Sequence, residues 1–492
     1  MAGIALTKLK GLKRADLLIT TAYINGRWIE ADDTIPVVDP ATGEEIAHVT
    51  ALESSVVDDA VRHASKAFVE WRNRLPLDRG SILRAWARGM RENADDLATI
   101  VTAEQGKPVK EAIGEIAYAA AFIDWFAGEG ERAYGETIPS HLPGSRLSVQ
   151  MQPIGVTAAI TPWNFPSAMI TRKAGAALAA GCVMIVKPAP ETPLSALALA
   201  RLAEEAGVPP GVLQVLTGQA APLACRLLEH PEVRAFSFTG STEVGRILLT
   251  QSAETIKKAS LELGGHAPFI VFEDAPLTES VAGCMGAKFA TSGQDCLAAN
   301  RIYVQRSAYE PFVAAFAEAT TRLRVGHGLE DGVSIGPMTR PSVAKKCRQQ
   351  VAQAVAAGAR IVAGGQDSPL GGNFVVPTVL ADVTDDMLIA REETFGPVAA
   401  ILPFETEAEV VQRANNTEMG LAAYVFTRDL NRAMRLTDQL EYGMVAVNTA
   451  KFTGAPIPFG GWKQSGLGRE GGRYGLSEYL EAKYVCFGNI AA

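Results

Sequence analysis

The order of apolar and polar positions sorts the chain into stretches with different periods. Between Tyr23 and Val49, short alternating runs are broken by turn signals at Asn25-Gly26 and Asp39-Pro40-Ala41-Thr42-Gly43, which predicts small strands. Asp58–Phe68, Arg79–Asn93 and Ala94–Gln105 carry apolar residues at helical spacing with charges on the other face. Strand and helix patterns then alternate. Gly155–Thr161, Cys182–Val186, Val212–Leu216 and Ala235–Phe238 read as strands, and Ser167–Ala180, Pro193–Ala206, Ala221–His230 and Ser241–Ser252 as the helices that follow them. This alternation predicts a parallel sheet with crossover helices, the nucleotide-binding α/β class. A second run opens with a strand at Ala267–Phe272 and a helix at Ser280–Thr291 and extends to about Asn448. The polar, glycine-bearing segment 128–148 interrupts the first run. The alternating stretches Arg146–Met151 and Tyr479–Phe487 read as exposed ribbon strands, whose open edges need a partner, so an oligomer is expected. Residues 1–20 read as a loosely attached arm.

Length and charge narrow the classes. A chain of 492 residues is too long for one ordinary core, so two or three domains are expected. The net charge of -8 argues against nucleic acid and anionic membrane as partners. No apolar run approaches the ~18 residues of a membrane span. Lys8, Lys10, Lys13 and Arg14 lead into no apolar core of signal-peptide length. Six scattered cysteines without paired spacing fit a reducing compartment, and a cytoplasmic protein without a metal site is expected.

The candidate chemistry concentrates between Leu261 and Asn300. Glu262 stands in Leu261-Glu262-Leu263-Gly264-Gly265, and Cys296 follows Gly293-Gln294-Asp295. A lone cysteine is usually a small buried hydrophobe, but Gly, Gln and Asp are poor core material. A thiol and a carboxylate both offered on loops suit covalent catalysis, with thiolate attack on a carbonyl and the carboxylate taking a proton. Other segments stand where α/β sheets place ligand contacts. Lys187 ends an apolar strand, where a solvated lysine is the plainer alternative. Asn164, in Thr161-Pro162-Trp163-Asn164-Phe165-Pro166, is a proline-braced amide suited to an oxyanion. Gly240-Ser241-Thr242-Glu243-Val244-Gly245 opens a helix after a strand and offers free N–H groups to a phosphate, although its spacing is not the usual dinucleotide fingerprint and a plain turn would read the same. Glu393 and Phe395 lie in EETFGP, and Phe459 opens a glycine-rich loop that runs to Glu470.

The ordered set TPWNFP, KPAPETP, FTGSTEVG, LELGG, GQDC, EETFGPV and PFGGWKQSGLGRE resembles the aldehyde dehydrogenase superfamily from about Tyr23 to Lys483, and is most similar to bacterial succinate-semialdehyde and glutarate-semialdehyde dehydrogenases. The resemblance implies a Rossmann-type cofactor domain (1–127 and 149–258), an α/β catalytic domain (259–448) and a small β-ribbon oligomerisation domain (128–148 and 470–492), assembled as a homodimer or homotetramer. It implies Cys296 as nucleophile, Asn164 with the Cys296 N–H as oxyanion site, Glu262 as base for the hydrolytic water and Glu470 behind it as proton relay. NADP or NAD would be held by Trp163, Lys187, Pro190, Gly240, Ser241, Gly245, Glu393 and Phe395. A small-molecule aldehyde would be met by Phe165, Arg172, Lys451, Thr453 and Phe459. The sequence departs from the pattern in three places. Pro190 replaces a Glu that many NAD-specific members use on the adenosine ribose; Ala298 replaces a second cysteine; and Lys288-Phe289-Ala290-Thr291 lacks an Arg that grips a substrate carboxylate. The expected reaction is oxidation of succinate semialdehyde, with glutarate semialdehyde or an aromatic or amino aldehyde as alternatives and an inactive structural homologue as the non-enzymatic one. Transfer of the acyl group to coenzyme A is disfavoured because Glu262 supplies a base for hydrolysis.

Overall fold

The computed structural model describes Leu9 and residues 11–490. Five parallel strands, β1 (Val156–Ile160), β2 (Val183–Lys187), β3 (Leu213–Val215), β4 (Val233–Thr239) and β5 (Lys258–Glu262), form the centre of one sheet in the order β3-β2-β1-β4-β5, with short antiparallel strands at both edges. The strand order reverses between β1 and β4, and such a switch point opens a crevice at the carboxyl ends of the strands. Register brings the candidate residues to one level there: Lys187 pairs with Ile160, Ile160 with Phe238, and Thr239 with Glu262. These strands are buried on both faces, which is why they read as continuous apolar runs.

Six further strands, β6 (Ala267–Val271), β7 (Ala299–Gln305), β8 (Thr378–Ala381), β9 (Val398–Phe404), β10 (Ala422–Phe426) and β11 (Met444–Val447), lie parallel in the order β8-β9-β7-β6-β10-β11. The link 263–266 leaves the carboxyl end of β5 and enters the amino end of β6, and Cys296 lies just before the amino end of β7. The two sheets therefore face each other across one seam, carboxyl end to amino end, with the candidate chemistry in it.

A third sheet is the expected ribbon: Arg146–Pro153 pairs antiparallel with Leu480–Phe487 on one side and with Glu136–Ile138 on the other. Tyr484, Phe487 and Ile138 are exposed on it. No helix among the described residues is long and apolar enough to cross a membrane.

Four expectations need revision. The arm is not loose where it is described: Lys13 and Arg14 donate their backbone N–H groups to Asp96 at 2.9 and 2.8 Å, and Leu17 is buried; residues 1–8 and 10 lie outside the described part. A helix absent from the sequence reading, α1 (Val109–Glu131), packs along α2 (Ala168–Ala180). It runs past the expected cut at residue 127, and the strand Arg146–Pro153 crosses the one at 148. Finally, the helix expected over Ser280–Thr291 spans Leu277–Phe289 (α3) and stops where Thr291 and Ser292 turn left-handed, at φ 49° and 57°.

Candidate active site

Glu262 closes β5 inside the seam. It is 3% exposed, and neither of its carboxylate oxygens has a hydrogen-bond partner. Burial, reinforced by the nearby Glu470 carboxylate, raises its proton affinity well above that of an ordinary Glu. A side chain at position 460 would press on it, since an added Cβ would lie 3.0 Å from Glu262 Oε1, so glycine there keeps room beside the carboxylate.

The thiol is brought to the same seam by a contorted loop. Thr291, Ser292 and Gly293 are all left-handed, a conformation that costs non-glycine residues free energy and persists only when neighbours impose it. The neighbours are identifiable. Thr291 donates its N–H to Glu111 Oε2 at 2.7 Å, Gly336 donates to Ser292 Oγ at 2.8 Å, and Thr339 donates to Gln294 Oε1 at 2.9 Å. Gly265 is as close to this loop as backbone allows: a Cβ there would collide with the Cys296 carbonyl oxygen. Burial pushes the Cys296 thiol well above its usual range, and Asp295 adds to the effect. The thiol is thus neutral at rest and needs a base.

Asn164 reaches the thiol loop from the turn after β1. Its Nδ2 donates to the Gln294 carbonyl at 3.1 Å, and its Oδ1 is buried without a partner. Lys107, fully buried, donates to the Asn164 carbonyl at 2.7 Å and to Glu115 Oε2 at 2.6 Å, with its ammonium 3.9 Å from the Phe165 ring centre. Glu115 Oε1 accepts from the Ser167 and Ala168 N–H groups that begin α2. Lys107, just before α1, and Glu111 and Glu115 in its first turns, none of them singled out from the sequence, therefore fix the amide loop and the thiol loop to the start of that helix.

Glu470 is held behind Glu262. It pairs with Lys173, receives a bond from Ser237 Oγ at 3.4 Å, and lies 2.8 Å from Arg172 Nε without the alignment of a hydrogen bond. Burial raises its pKa, but Lys173 and Arg172 more than offset this and hold it below the ordinary carboxyl value. Two buried carboxyls of opposite tendency, Glu262 high and Glu470 low, suit a proton relay. Phe459 and Glu470 exchange backbone hydrogen bonds at 2.8 Å, so the glycine-rich loop between them folds back as a hairpin against β5.

On the crevice side, Lys187 is 1% exposed, and its ammonium donates to the Pro188 carbonyl at 2.7 Å, leaving further protons for a ligand; burial lowers it to about 8. Glu393 accepts from the Gly265 N–H at 3.1 Å and is raised to about 7 by burial. Trp163 and Phe395 meet edge to face at 5.5 Å. Ser241 caps the helix after β4, its Oγ accepting from Val244 N–H at 3.3 Å. Gly240 and Gly245 sit so close to the Phe238 ring and the Leu263 side chain that a Cβ would collide with them. Close packing thus favours glycine at both positions, beside any contact with a phosphate. Free N–H groups on this helix, a buried ammonium on β2 and a carboxylate between the sheets fit an extended dinucleotide.

The residues read as substrate contacts are only partly brought together. Phe459 is buried, with the Arg172 guanidinium 3.9 Å from its ring centre. Arg172 is committed first to Glu470; its Nη2 is buried without a partner and is the donor left for a ligand. Thr453 and the Arg172 charge both act on the Tyr118 hydroxyl, which burial otherwise holds above its usual pKa, whereas Lys451 is exposed on its loop and joins no ion pair among the described residues. Tyr118, on α1, was not foreseen; nothing in its sequence surroundings marks it.

With this geometry in hand, comparison with known proteins is informative. The sequence pattern of the aldehyde dehydrogenase family matches residues 28–485. The chain is 52% identical over 481 residues to a glutarate-semialdehyde dehydrogenase of Pseudomonas aeruginosa, covering 97% of this chain and 100% of that one. It is 51% identical over 479 residues to the NADP(+) succinate-semialdehyde dehydrogenase of Escherichia coli, covering 97% and 99%. A solved succinate-semialdehyde dehydrogenase from Burkholderia pseudomallei superposes with a TM-score of 0.96 at 49% identity, over 97% of this chain and all of that one.

Proposed function

Since this chain belongs to the aldehyde dehydrogenase family, we propose that it oxidises a semialdehyde bearing an acidic group, succinate semialdehyde foremost, to the corresponding diacid with NAD or NADP. The observation that carries the chemistry is Glu262, a buried carboxylate whose oxygens have no hydrogen-bond partner and whose charge acts on the Cys296 thiol. Glu262 takes the thiol proton as sulfur attacks the aldehyde carbon. The resulting oxyanion is met by Asn164 Nδ2, now donating to the Gln294 carbonyl, and by the Cys296 N–H. Lys187, Glu393, Trp163, Phe395 and the helix after Ser241 would hold a nicotinamide nucleotide, which would supply the hydride acceptor. Loss of hydride from the thiohemiacetal carbon leaves a thioester on Cys296. Glu262 passes the thiol proton on through Glu470 and Lys173, and only then takes a proton from water, whose oxygen displaces the sulfur as the thiolate; that second proton leaves by the same way. Removing the amide in Asn164→Ala is expected to lower kcat by about 10²–10³-fold with cofactor affinity unchanged; a loss below about fivefold would remove Asn164 from the oxyanion site.

The substrate class rests on Arg172 and on the relatives, whose names specify succinate, glutarate, aspartate and sulfolactate aldehydes, all carrying an acidic group. A panel of these aldehydes against butanal, followed by NAD(P)H absorbance, tests it. Arg172→Leu also removes one of the two cations beside Glu470, so some loss common to all substrates is expected; the acidic ones should lose roughly 2 kcal/mol more in kcat/KM than butanal. Equal losses would make Arg172 structural and overturn the acid-substrate reading. With Pro190 at the cofactor position, NADP is expected to be used at least as well as NAD; a hundredfold preference for NAD, about 2.7 kcal/mol, contradicts this. Two exposed ribbon edges support assembly as a homodimer or homotetramer, and six cysteines, all free, support a reducing compartment such as the cytoplasm.

A further inference from the structure

The carboxyl end of β2 carries an ion pair that the reaction does not use. Glu191 lies four residues after Lys187, and its Oε1 is 2.6 Å from Arg340 Nη2. Its Oε2 is buried without a partner. Arg340 begins the helix Pro341–Ala356 in the other half of the molecule, and its guanidinium lies 5.9 Å from the Trp163 ring centre. Both partners are partly open, with side chains 25% and 45% exposed. The helix that follows Glu191 offers little to an anion, because Glu104 already accepts from the first-turn N–H groups of Leu194 and Ser195 at 2.8 and 2.9 Å. An anion arriving at this strand end therefore meets Lys187, Arg340 and the Glu191 carboxylate.

In doubly wound sheets, an acid at the end of the second strand binds the adenosine ribose 2′-hydroxyl of NAD, while a nearby Arg accommodates the 2′-phosphate of NADP. This chain has both groups, joined to each other. From that juxtaposition we infer that Arg340 determines nucleotide specificity. It draws Glu191 out of repulsive contact with a 2′-phosphate and presents the rest of its donor fork to the phosphate oxygens. Without Arg340, Glu191 is a bare carboxylate beside Lys187, an arrangement that favours a ribose hydroxyl over a phosphate. The inference rests on the nicotinamide-nucleotide reading but concerns residues outside the chemical step.

The test is binding, measured by calorimetry on the full-length protein with 2′,5′-ADP and 5′-AMP as probes. Arg340→Ala is expected to weaken 2′,5′-ADP by about tenfold or more and to leave 5′-AMP within about twofold. Glu191→Gln is expected to tighten 2′,5′-ADP, and the loss from Arg340→Ala should be smaller in the Glu191→Gln background, because half of what Arg340 does is to neutralise Glu191. Glu191→Gln alone keeps the test open should Arg340→Ala fail to fold. Equal weakening of both probes by Arg340→Ala, or no response of 2′,5′-ADP to Glu191→Gln, overturns the inference. Wild-type protein that binds 5′-AMP but not 2′,5′-ADP also overturns it while leaving the nucleotide reading intact. Failure to bind either probe removes both.

Discussion

Replacing Cys296 by alanine is expected to lower aldehyde oxidation by roughly 10⁴-fold or more while leaving nucleotide binding nearly unchanged. The loss is large because no other thiol can take over. Cys284 and Cys347 are buried in the cores around the second sheet, Cys182 is buried at the start of β2, Cys225 lies beside Gln251, and Cys486 is exposed on the ribbon. Ala298 stands two residues on, where a second cysteine would have been nearest. Binding should survive because Lys187, Glu393 and the helix after Ser241 are positioned by β2, by Gly265 and by β4, without help from the thiol. Steady-state rates and nucleotide titration check this; retention of more than about one per cent of the rate would contradict the assignment of the nucleophile.

The second large effect is expected from Glu262→Gln. The variant keeps the shape of the side chain but cannot take a proton, so thioester hydrolysis should fall by about 10²–10⁴-fold. The thiol loses its base as well, so oxidation should also slow, but less than hydrolysis, because a thiol gives its proton to solvent far more readily than water does; a slowed burst of reduced cofactor then precedes still slower turnover. The wild type should show the matching pH dependence. A carboxyl whose pKa is raised is protonated, and idle as a base, until the pH passes that raised value, so activity should fall as pH falls, well before an ordinary Glu would titrate. Loss of this acidic limb in Glu262→Gln, measured from the burst amplitude and the slow rate across pH, identifies the group. Burst-free turnover at the wild-type rate would remove Glu262 from the role.

The seam between the sheets was readable in the sequence because each residue that faces it ends a strand or sits on a loop bounded by Gly or Pro. Lys187 and Glu262 end β2 and β5, Asn164 follows β1, and the alternation of apolar runs with helical spacing revealed those strands. What escaped was the support. Helix α1 is buried along most of its length, including Ala112, Ile116, Ala119, Phe122, Ile123 and Phe126, so it lacks the polar stripe that marks a surface helix. Its functional contacts, and that of Lys107 just before it, are also remote in sequence: Glu111 with Thr291, Glu115 with Ser167, and Lys107 with Asn164. The same remoteness explains why a helix was expected to run through Thr291. Local composition favours it, but the Thr291 N–H is taken by Glu111 and the backbone turns left-handed. Gly240 and Gly245 read as a phosphate loop, and the Phe238 ring and Leu263 side chain lie where a Cβ would sit, a packing reason for glycine that the sequence does not display. Arg172 was visible as a cation on apolar walls; its engagement with Glu470, nearly three hundred residues on, was not.

The central claim is that the substrate becomes covalently attached to Cys296 and leaves by Glu262-assisted hydrolysis. Its most direct test is peptide mass spectrometry of Glu262→Gln quenched after mixing with succinate semialdehyde and NADP. A succinyl thioester on the peptide bearing Cys296, formed in proportion to the burst and released by hydroxylamine, is the predicted result. Reduced cofactor formed without an acyl group on Cys296, or with one on a different residue, would contradict it.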